Sequence, residues 1–440
     1  MSDAPRKASL LVIFLTVFID LLGFGMVLPL LPIYAKDFAA ALQLEESHAQ
    51  VGWLIGLLMS SFSLMQFIFA PIWGRVSDRV GRRPILMLGL GGSVVFYSLF
   101  GVATVFRSLP LLFVSRIGAG IAGATISTAQ AYIADATTLQ TRARGMALIG
   151  AAFGLGFTFG PLFGALALAS EENTAGPGPG YAAAGLSAIA LAIAYFKLPE
   201  SLKPGNQSTA RRMFDRSALA DALARPAVGI LIAATFVCVF AFANFESTLS
   251  LMLNSDEVGY RYQPWEVSLV FAYIGLVLTL VQGGIVRRIA GRISERAMAT
   301  SGAITEVVGF ALLAQAANHV SVPLLLGGLA VVVSGFAFIT PSLNSLLSRW
   351  SDPAKQGGIL GIGQSVSSLA RIFGPMAGVP LSQNVRLAAA WNVQSAVLPL
   401  FLAGALMAIG LVLIVMASSR GRDFPAAEPA AVPPDLTLQA

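Results

Sequence analysis

The chain has one cysteine, Cys238, and two histidines, His48 and His319, in 440 residues. A single cysteine excludes an intrachain disulfide and a cysteine-rich metal site. Two isolated histidines in short connecting segments form no metal cluster. Charge is scarce too: Asp, Glu, Lys and Arg make up 11% of the residues, against roughly a quarter in soluble domains. No phosphate-binding G-x-x-x-x-G-K-[ST] pattern occurs. Gly118-Ala-Gly120-Ile-Ala-Gly123 satisfies G-x-G-x-x-G, but it sits inside an apolar run with no preceding strand, so it reads as a decoy. What is present is apolar: 56% of residues are hydrophobic and mean hydropathy is +0.77. Such a chain exposes too much oil for water and belongs in a bilayer.

A membrane-crossing helix needs about 20 predominantly apolar residues. Twelve such runs are present, at 9–35, 50–73, 84–106, 108–135, 145–169, 180–198, 228–253, 265–286, 296–317, 321–347, 357–381 and 392–418. The first follows Arg6 and Lys7 as a signal peptide would, but it is too long and carries Asp20, so it reads as a retained helix. Lys and Arg gather at the N-terminus, after even-numbered runs and after the last run. Only Lys36, Arg107, Arg261 and Arg386 fall on the opposite side. The positive-inside rule therefore puts both termini in the cytoplasm. The net charge of +6 is accounted for by topology, which argues against a nucleic-acid partner. The expected fold is an all-α membrane protein with twelve transmembrane helices in two six-helix bundles, 1–198 and 228–418. A basic cytoplasmic linker, 199–227, joins them, and a Pro/Ala-rich tail, 419–440, is expected to be disordered.

The two halves echo each other at an offset of 210–214 residues. Gly74-x6-Gly81-Arg82 after the second run matches Gly284-x6-Gly291-Arg292 after the eighth. Gly160-Pro161-x2-Gly164 in the fifth matches Gly374-Pro375-x2-Gly378 in the eleventh. Two parallel repeats around a central pathway are a transporter architecture, with the site near the midplane between them.

Four stretches carry a family resemblance. GRVSDRVGRRP (Gly74 to Pro84) resembles the loop 2–3 motif of the major facilitator superfamily. RIGAGIAGATISTAQAYIAD (Arg116 to Asp135) is similar to the fourth-helix motif of its antiporters. GLGFTFGPLFG, containing Gly156, Gly160, Pro161 and Gly164, resembles the antiporter signature in the fifth helix. DLLGFGMVLPLLP, from Asp20, resembles the first-helix pattern. Within the superfamily the chain looks most like the tetracycline-type drug:proton antiporters. The second loop copy departs from the pattern with Arg288 where the first has Asp78, and Ala165 stands where a further glycine is usual. The resemblance implies a monomeric secondary transporter in a bacterial inner membrane, with no cofactor and no enzyme activity. It would exchange protons for lipophilic or amphiphilic small molecules by alternating access. The alternative is a facilitator or proton symporter of a nutrient or metabolite. A membrane-embedded enzyme or scaffold is more distant, because no nucleophile–base or metal-ligand set occurs in the spans.

A charge at the bilayer centre costs at least about 2.5–3.5 kcal/mol on insertion scales. Asp20, Arg116, Glu246, Glu306 and Arg371 therefore need a reason to be there. Asp20 and Arg116 are positioned to approach each other as a titratable acid beside a fixed cation, or as a static pair that sets helix register. Glu246 and Glu306 are favoured on different grounds. The superfamily fold lines its cavity with helices one, four, seven and ten, which favours Glu246, whereas tetracycline-type exporters have an acid in the context of Glu306. Arg371, on a stripe with Gln364, Ser367 and Ser368, is the expected partner of one of these acids. Thr16, Gln130, Thr340, Asn344 and Gln364 are candidate cavity residues, whereas packing explains the aromatics Phe242, Phe245 and Tyr132 better than a drug site does. In the loop, Gly74 and Gly81 suit a tight turn, and Arg79, Arg82 and Arg83 mark the cytoplasmic side. Asp135 is expected to pair with Arg79 or Arg82. By resemblance, Asp78 would face the start of the eleventh helix near Gly357, making a latch between the halves.

Overall fold

The computed structural model describes residues 4–41, 48–137, 139–168, 176–202, 225–351 and 356–423, with backbone alone at 4–9, 41, 48–49, 139–147 and 356–358. Most of the linker and the tail expected from the sequence lie outside the described residues. The chain is helical: α1 Ala4–Val27, α2 Leu31–Ala41, α3 His48–Val80, α4 Arg82–Val105, α5 Leu109–Ala122, α6 Ile126–Ala136, α7 Leu139–Leu168, α8 Gly178–Lys197, α9 Pro226–Leu253, α10 Pro264–Leu280, α11 Glu295–His319, α12 Val322–Arg349, α13 Gln356–Ser382, α14 Val385–Trp391 and α15 Leu398–Arg420.

Among the described residues, eleven spans are long and apolar enough to cross a membrane, so the chain is a multi-pass membrane protein. The first expected run is two helices, α1 and α2, split where Pro29 and Pro32 remove backbone donors. The fourth is α5 and α6, joined by a 3-10 turn at Gly123–Thr125. α10 runs into a π-turn, Val281–Val286, around two adjacent glycines. The expected eleventh run is α13, whose 27 residues are diluted by Gly, Ser, Gln and Arg371. It falls outside the eleven apolar spans, and the expected count of twelve is not reached on that measure.

The internal repeat is written in the backbone. Arg107 and Val320 both take left-handed φ values, 47° and 49°, each at a non-glycine cost of about 1–2 kcal/mol. Each is followed by a serine, Ser108 or Ser321, that caps the next helix by accepting from a backbone N–H. Gly81 and Gly291 turn the chain after α3 and after the α10 segment at φ 108° and 81°.

Two helix pairs carry most of the contact between the halves. Along α3 and α13, Ser60 donates to the Ile372 carbonyl at 2.6 Å. A methyl group on Gly52 or Gly56 would lie 2.8 Å from Pro380 Cα or 2.9 Å from the Pro375 carbonyl oxygen. Along α7 and α10, Thr158 and Thr279 hydroxyls share a hydrogen bond of 3.0 Å. Pro161 offers no N–H to the Phe157 carbonyl, which faces Gly275 so closely that a methyl there would sit 2.4 Å away. Along α7 and α10 these contacts reach the middle of the spans, and along α3 and α13 they occupy the half remote from the chain termini. On that side Ile33, Leu251 and Val379 are buried between the bundles. Toward the termini the same helices part: Leu64, Ile68, Leu360 and Gln364 are exposed, and Gly150, Gly283, Gly284 and Gly361 have open space at their Cα. A central cavity therefore opens on the face that carries both termini and is closed on the other.

Candidate transport site

The cavity wall is built from helix periodicity. On α13, Leu360, Gln364, Ser368 and Arg371 recur at three- and four-residue spacing and form one stripe. Leu369 and Phe373, both exposed, lie on the opposite face toward lipid. One turn further along the polar stripe, Pro375 meets Gly56 at the seal. Arg371 thus sits exposed immediately below the closed part of the interface. α9 presents Glu246, half-buried, and one turn back Phe242. α12 presents Phe336, Thr340 and the exposed Asn344 at four-residue spacing. Phe242 and Phe336 stack with ring centroids 3.8 Å apart and planes 14° from parallel. Arg371 is within electrostatic reach of Glu246, yet none of the described ion pairs includes it. Gln130 is exposed on α6. Phe245 and Tyr132 are buried and pack, as their apolar surroundings require.

The N-terminal half differs from expectation. Asp20 and Arg116 form no described ion pair. Asp20 instead accepts a 2.7 Å hydrogen bond from Ser93 of α4, so it faces the bundle interior. Arg116 is 1% exposed and lies over the rings of Phe62 and Phe24, at 4.5 Å and 5.9 Å. The negative ring faces hold its charge in place of a carboxylate. Tyr97, packed on Gly23, stands within electrostatic reach of both groups. Thr16 is buried, with no described partner for its hydroxyl, and does not line the open cavity.

Glu306 is also off the cavity. It is fully buried in α11 under Gly335 of α12, and neither carboxyl oxygen has a described hydrogen-bond partner. The repeat explains its place. Ser93 and Glu306 are 213 residues apart, as are Ser108 and Ser321, and the pairs Gly89–Ala122 and Gly302–Gly335 make the same close contact in each half. Each bundle therefore keeps one acid in the same layer, on α1 in the first and on α11 in the second.

The loop motif is mostly helix. Gly74 lies within α3, two turns before its end, and faces Ser127; only Gly81 makes the turn. Arg82 is the hub. It reaches Asp78 at 2.5 Å and Asp135 at 3.1 Å and donates to Ser77 at 2.7 Å, while Arg79 is exposed. Sequence reasoning missed Glu200, whose carboxylate accepts from the backbone N–H groups of Arg82 and Arg83 at 2.9 Å and 3.1 Å. It satisfies the N-terminus of α4, where an acid is favoured. The signal was available: an acid just after Pro199, at the end of a span, among basic loops. Arg83 adds a 2.6 Å bond to the Tyr195 carbonyl. The proposed contact of Asp78 with the region of Gly357 lies outside the described side chains. Gly81→Ala is expected to lower Tm, because the residue needs φ 108° and a methyl group would sit 2.5 Å from Glu200 Oε2. The conformational part alone is about 1–2 kcal/mol, and a thermal-shift measurement in detergent reads it.

The second bundle carries the tie with its charges reversed. Glu295 begins α11 and meets Arg349, at the end of α12, at 2.7 Å. Asp423 pairs with the same arginine. Arg82–Asp135 and Glu295–Arg349 join equivalent helix ends.

The glycine motif packs within a bundle. Methyl groups on Gly156, Gly160 and Gly164 would meet Leu21, Gly25 and Met26 of α1 at 2.7–3.1 Å. Gly374 and Gly378 meet α9 in the same way. These glycines thus pack helices within one bundle and take no part in the contact between the halves. Phe157 and Thr158, on another face of the same helix, make that contact.

Two helical bundles repeating one backbone plan around a one-sided polar and aromatic cavity define a membrane carrier. The chain belongs to the Major Facilitator Superfamily, matching it over residues 13–375, and is a carrier rather than an enzyme. It is 31% identical over 387 residues to the class C tetracycline resistance protein of Escherichia coli, covering 87% of this chain and 91% of that one. It is 30% identical over 414 residues to major facilitator superfamily domain-containing protein 10 of Bos taurus, covering 85% and 87%. The crystal structure of the human organic anion transporter MFSD10 (TETRAN) superposes with a TM-score of 0.66 at 26% identity, covering 93% of this chain and 99% of that one. The kinship thus includes both tetracycline-resistance and MFSD10-type carriers, and the expectation of drug export alone is too narrow.

Proposed function

We propose that this chain is a proton-coupled carrier of a small organic solute, working by alternating access as a symporter of a metabolite-type compound. The observation that carries the reading is that Glu246 and Arg371 stand within electrostatic reach of each other on the cavity wall without forming a described ion pair. An exporter that exchanges protons for solute needs an acid for which the two compete. An acid beside a fixed cation behaves differently: a proton arriving on it frees the cation, so proton and solute bind together. The MFSD10 kinship supports this reading.

Proton-driven drug export is the second reading, favoured by the class C tetracycline resistance relative. In both readings twelve helices cross the membrane as bundles 1–198 and 228–418 joined by 199–227, and the chain acts as a monomer. The basic loops place the termini in the cytoplasm, so the open cavity faces inward. A bacterial inner membrane is the location that the Escherichia coli relative suggests. In proteoliposomes given a pH gradient of either sign, symport accumulates solute on the alkaline side. Accumulation on the acid side identifies antiport, and rates indifferent to the gradient remove proton coupling.

A further inference from the structure

The geometry points to an anion-binding site on the cavity wall: Arg371 docks the carboxylate, or another anionic group, of an organic solute whose flat apolar body rests on the Phe242–Phe336 stack. This rests on the carrier reading above and names its substrate class.

Arg371 lies 15 residues into α13, roughly 22 Å along the helix. It is exposed there, below the seal, without a described ion pair. A cation at that depth is costly unless water or a ligand compensates it. Its planar fork matches a carboxylate through two parallel hydrogen bonds. Arg116, the other cation within a span, is buried against the rings of Phe24 and Phe62 and is closed off from the cavity. On the neighbouring α9 and α12 the stacked Phe242 and Phe336 rings offer an apolar surface, and Thr340, Asn344 and Gln364 are the polar residues of the same walls.

Glu246 is the built-in competitor for the same guanidinium. The surrounding elements bring no other charge to this depth. α3 has none before Arg75 and Asp78 at the rim, α12 none before Arg349, and α15 none before Arg420. α2 carries Lys36 and Asp37 on the closed side. α11 carries Glu306 behind α9, beside Cys238. Across the cavity Asp20 is turned to Ser93. A proton on Glu246 removes the competitor and leaves Arg371 to the solute anion, so one proton and one monoanion enter together without net charge.

Three probes share one ring system and differ in charge: 1-naphthoate, 1-naphthamide and 1-naphthylmethylammonium. Binding to the full chain in detergent is read by calorimetry in acidic and alkaline buffer. Naphthoate is expected to bind at least about tenfold tighter than the other two, and more tightly in acid. Arg371→Gln is expected to cost at least about tenfold, and Arg371→Lys to restore part of it. Glu246→Gln should hold the acidic-buffer affinity in both buffers. Thermal melts of each variant verify folding, with Arg386→Gln on the closed face as control. Equal binding of the three probes, undiminished naphthoate binding by folded Arg371→Gln, or no binding up to about 10 mM overturns the site. If instead a neutral or cationic solute accumulates with the pH gradient and folded Arg371→Gln is unaffected, the carrier reading stands and this one falls. Naphthoate held by Arg371 but indifferent to a pH gradient keeps the site and sinks the proton coupling.

Discussion

Glu246→Gln is expected to keep solute exchange and lose accumulation driven by a proton gradient. The substitution keeps the shape of the side chain and removes its titration. Arg371 then faces a permanent neutral neighbour, as it would after protonation. Solute can bind and the halves can exchange access, but no proton need accompany the step. The magnitude follows from the gradient: one pH unit stores about 1.4 kcal/mol, which sustains about tenfold accumulation per proton. In the variant that ratio is expected to fall to about one, while counterflow under equal pH stays near the wild-type rate. Accumulation that survives the substitution would move the coupling to Glu306 or Asp20.

Gly160→Leu is expected to remove most of the folded carrier. A methyl group at Gly160 would lie 2.7 Å from Gly25 Cα and 2.9 Å from the Leu22 carbonyl oxygen. Both obstacles are backbone, so no rotamer change relieves them, and α1 must move off α7. Overpacking costs typically about 1–3 kcal/mol, and more when backbone must shift. In a bilayer, helices gain little from burying apolar surface and depend on close contact, so the loss is not recovered elsewhere. Fluorescence-detected size exclusion reads it as a fall in monodisperse protein. Gly374→Leu, the repeat equivalent against Ala243 and Asn244, is expected to behave alike. Gly91→Leu, where nothing lies within 4 Å, serves as the control and should leave the protein intact.

Features with a local signature were legible in the sequence. Long apolar runs mark spans whatever their partners, so eleven membrane-crossing spans were foreseeable from hydropathy alone. Gly81, with its φ of 108°, announced a turn, and the repeat of Gly160-Pro161 in Gly374-Pro375 announced equivalent packing. Arg82 and Asp135 could be paired because both sit at helix ends on one side of the membrane. What escaped depends on neighbours far along the chain. Ser93 and Tyr97 are ordinary residues until α4 brings them beside Asp20. Formal charge alone assigns Arg116 a carboxylate partner, because Phe24 and Phe62 carry none, yet their rings lie against the guanidinium. Thr16 shares the helical face of Asp20, but that face is turned into the bundle. α13 was legible as the run 357–381, yet its Gly, Ser, Gln and Arg371 leave it outside the eleven apolar spans, because a helix that lines a wet cavity need not be uniformly apolar. Its polar stripe, from Gln364 to Arg371, is what marks it as a wall of the site.

The most direct test of proton coupling follows protons and solute at once. Proteoliposomes of the intact chain, loaded with a pH-sensitive dye and started at equal pH on both sides, are given an inward solute gradient. Symport through Glu246 and Arg371 predicts that the interior acidifies as solute enters, at a fixed ratio of protons to solute, and that Glu246→Gln admits solute without the acidification. Solute entry with no pH change in the wild type, or with alkalinisation of the interior, would contradict the account.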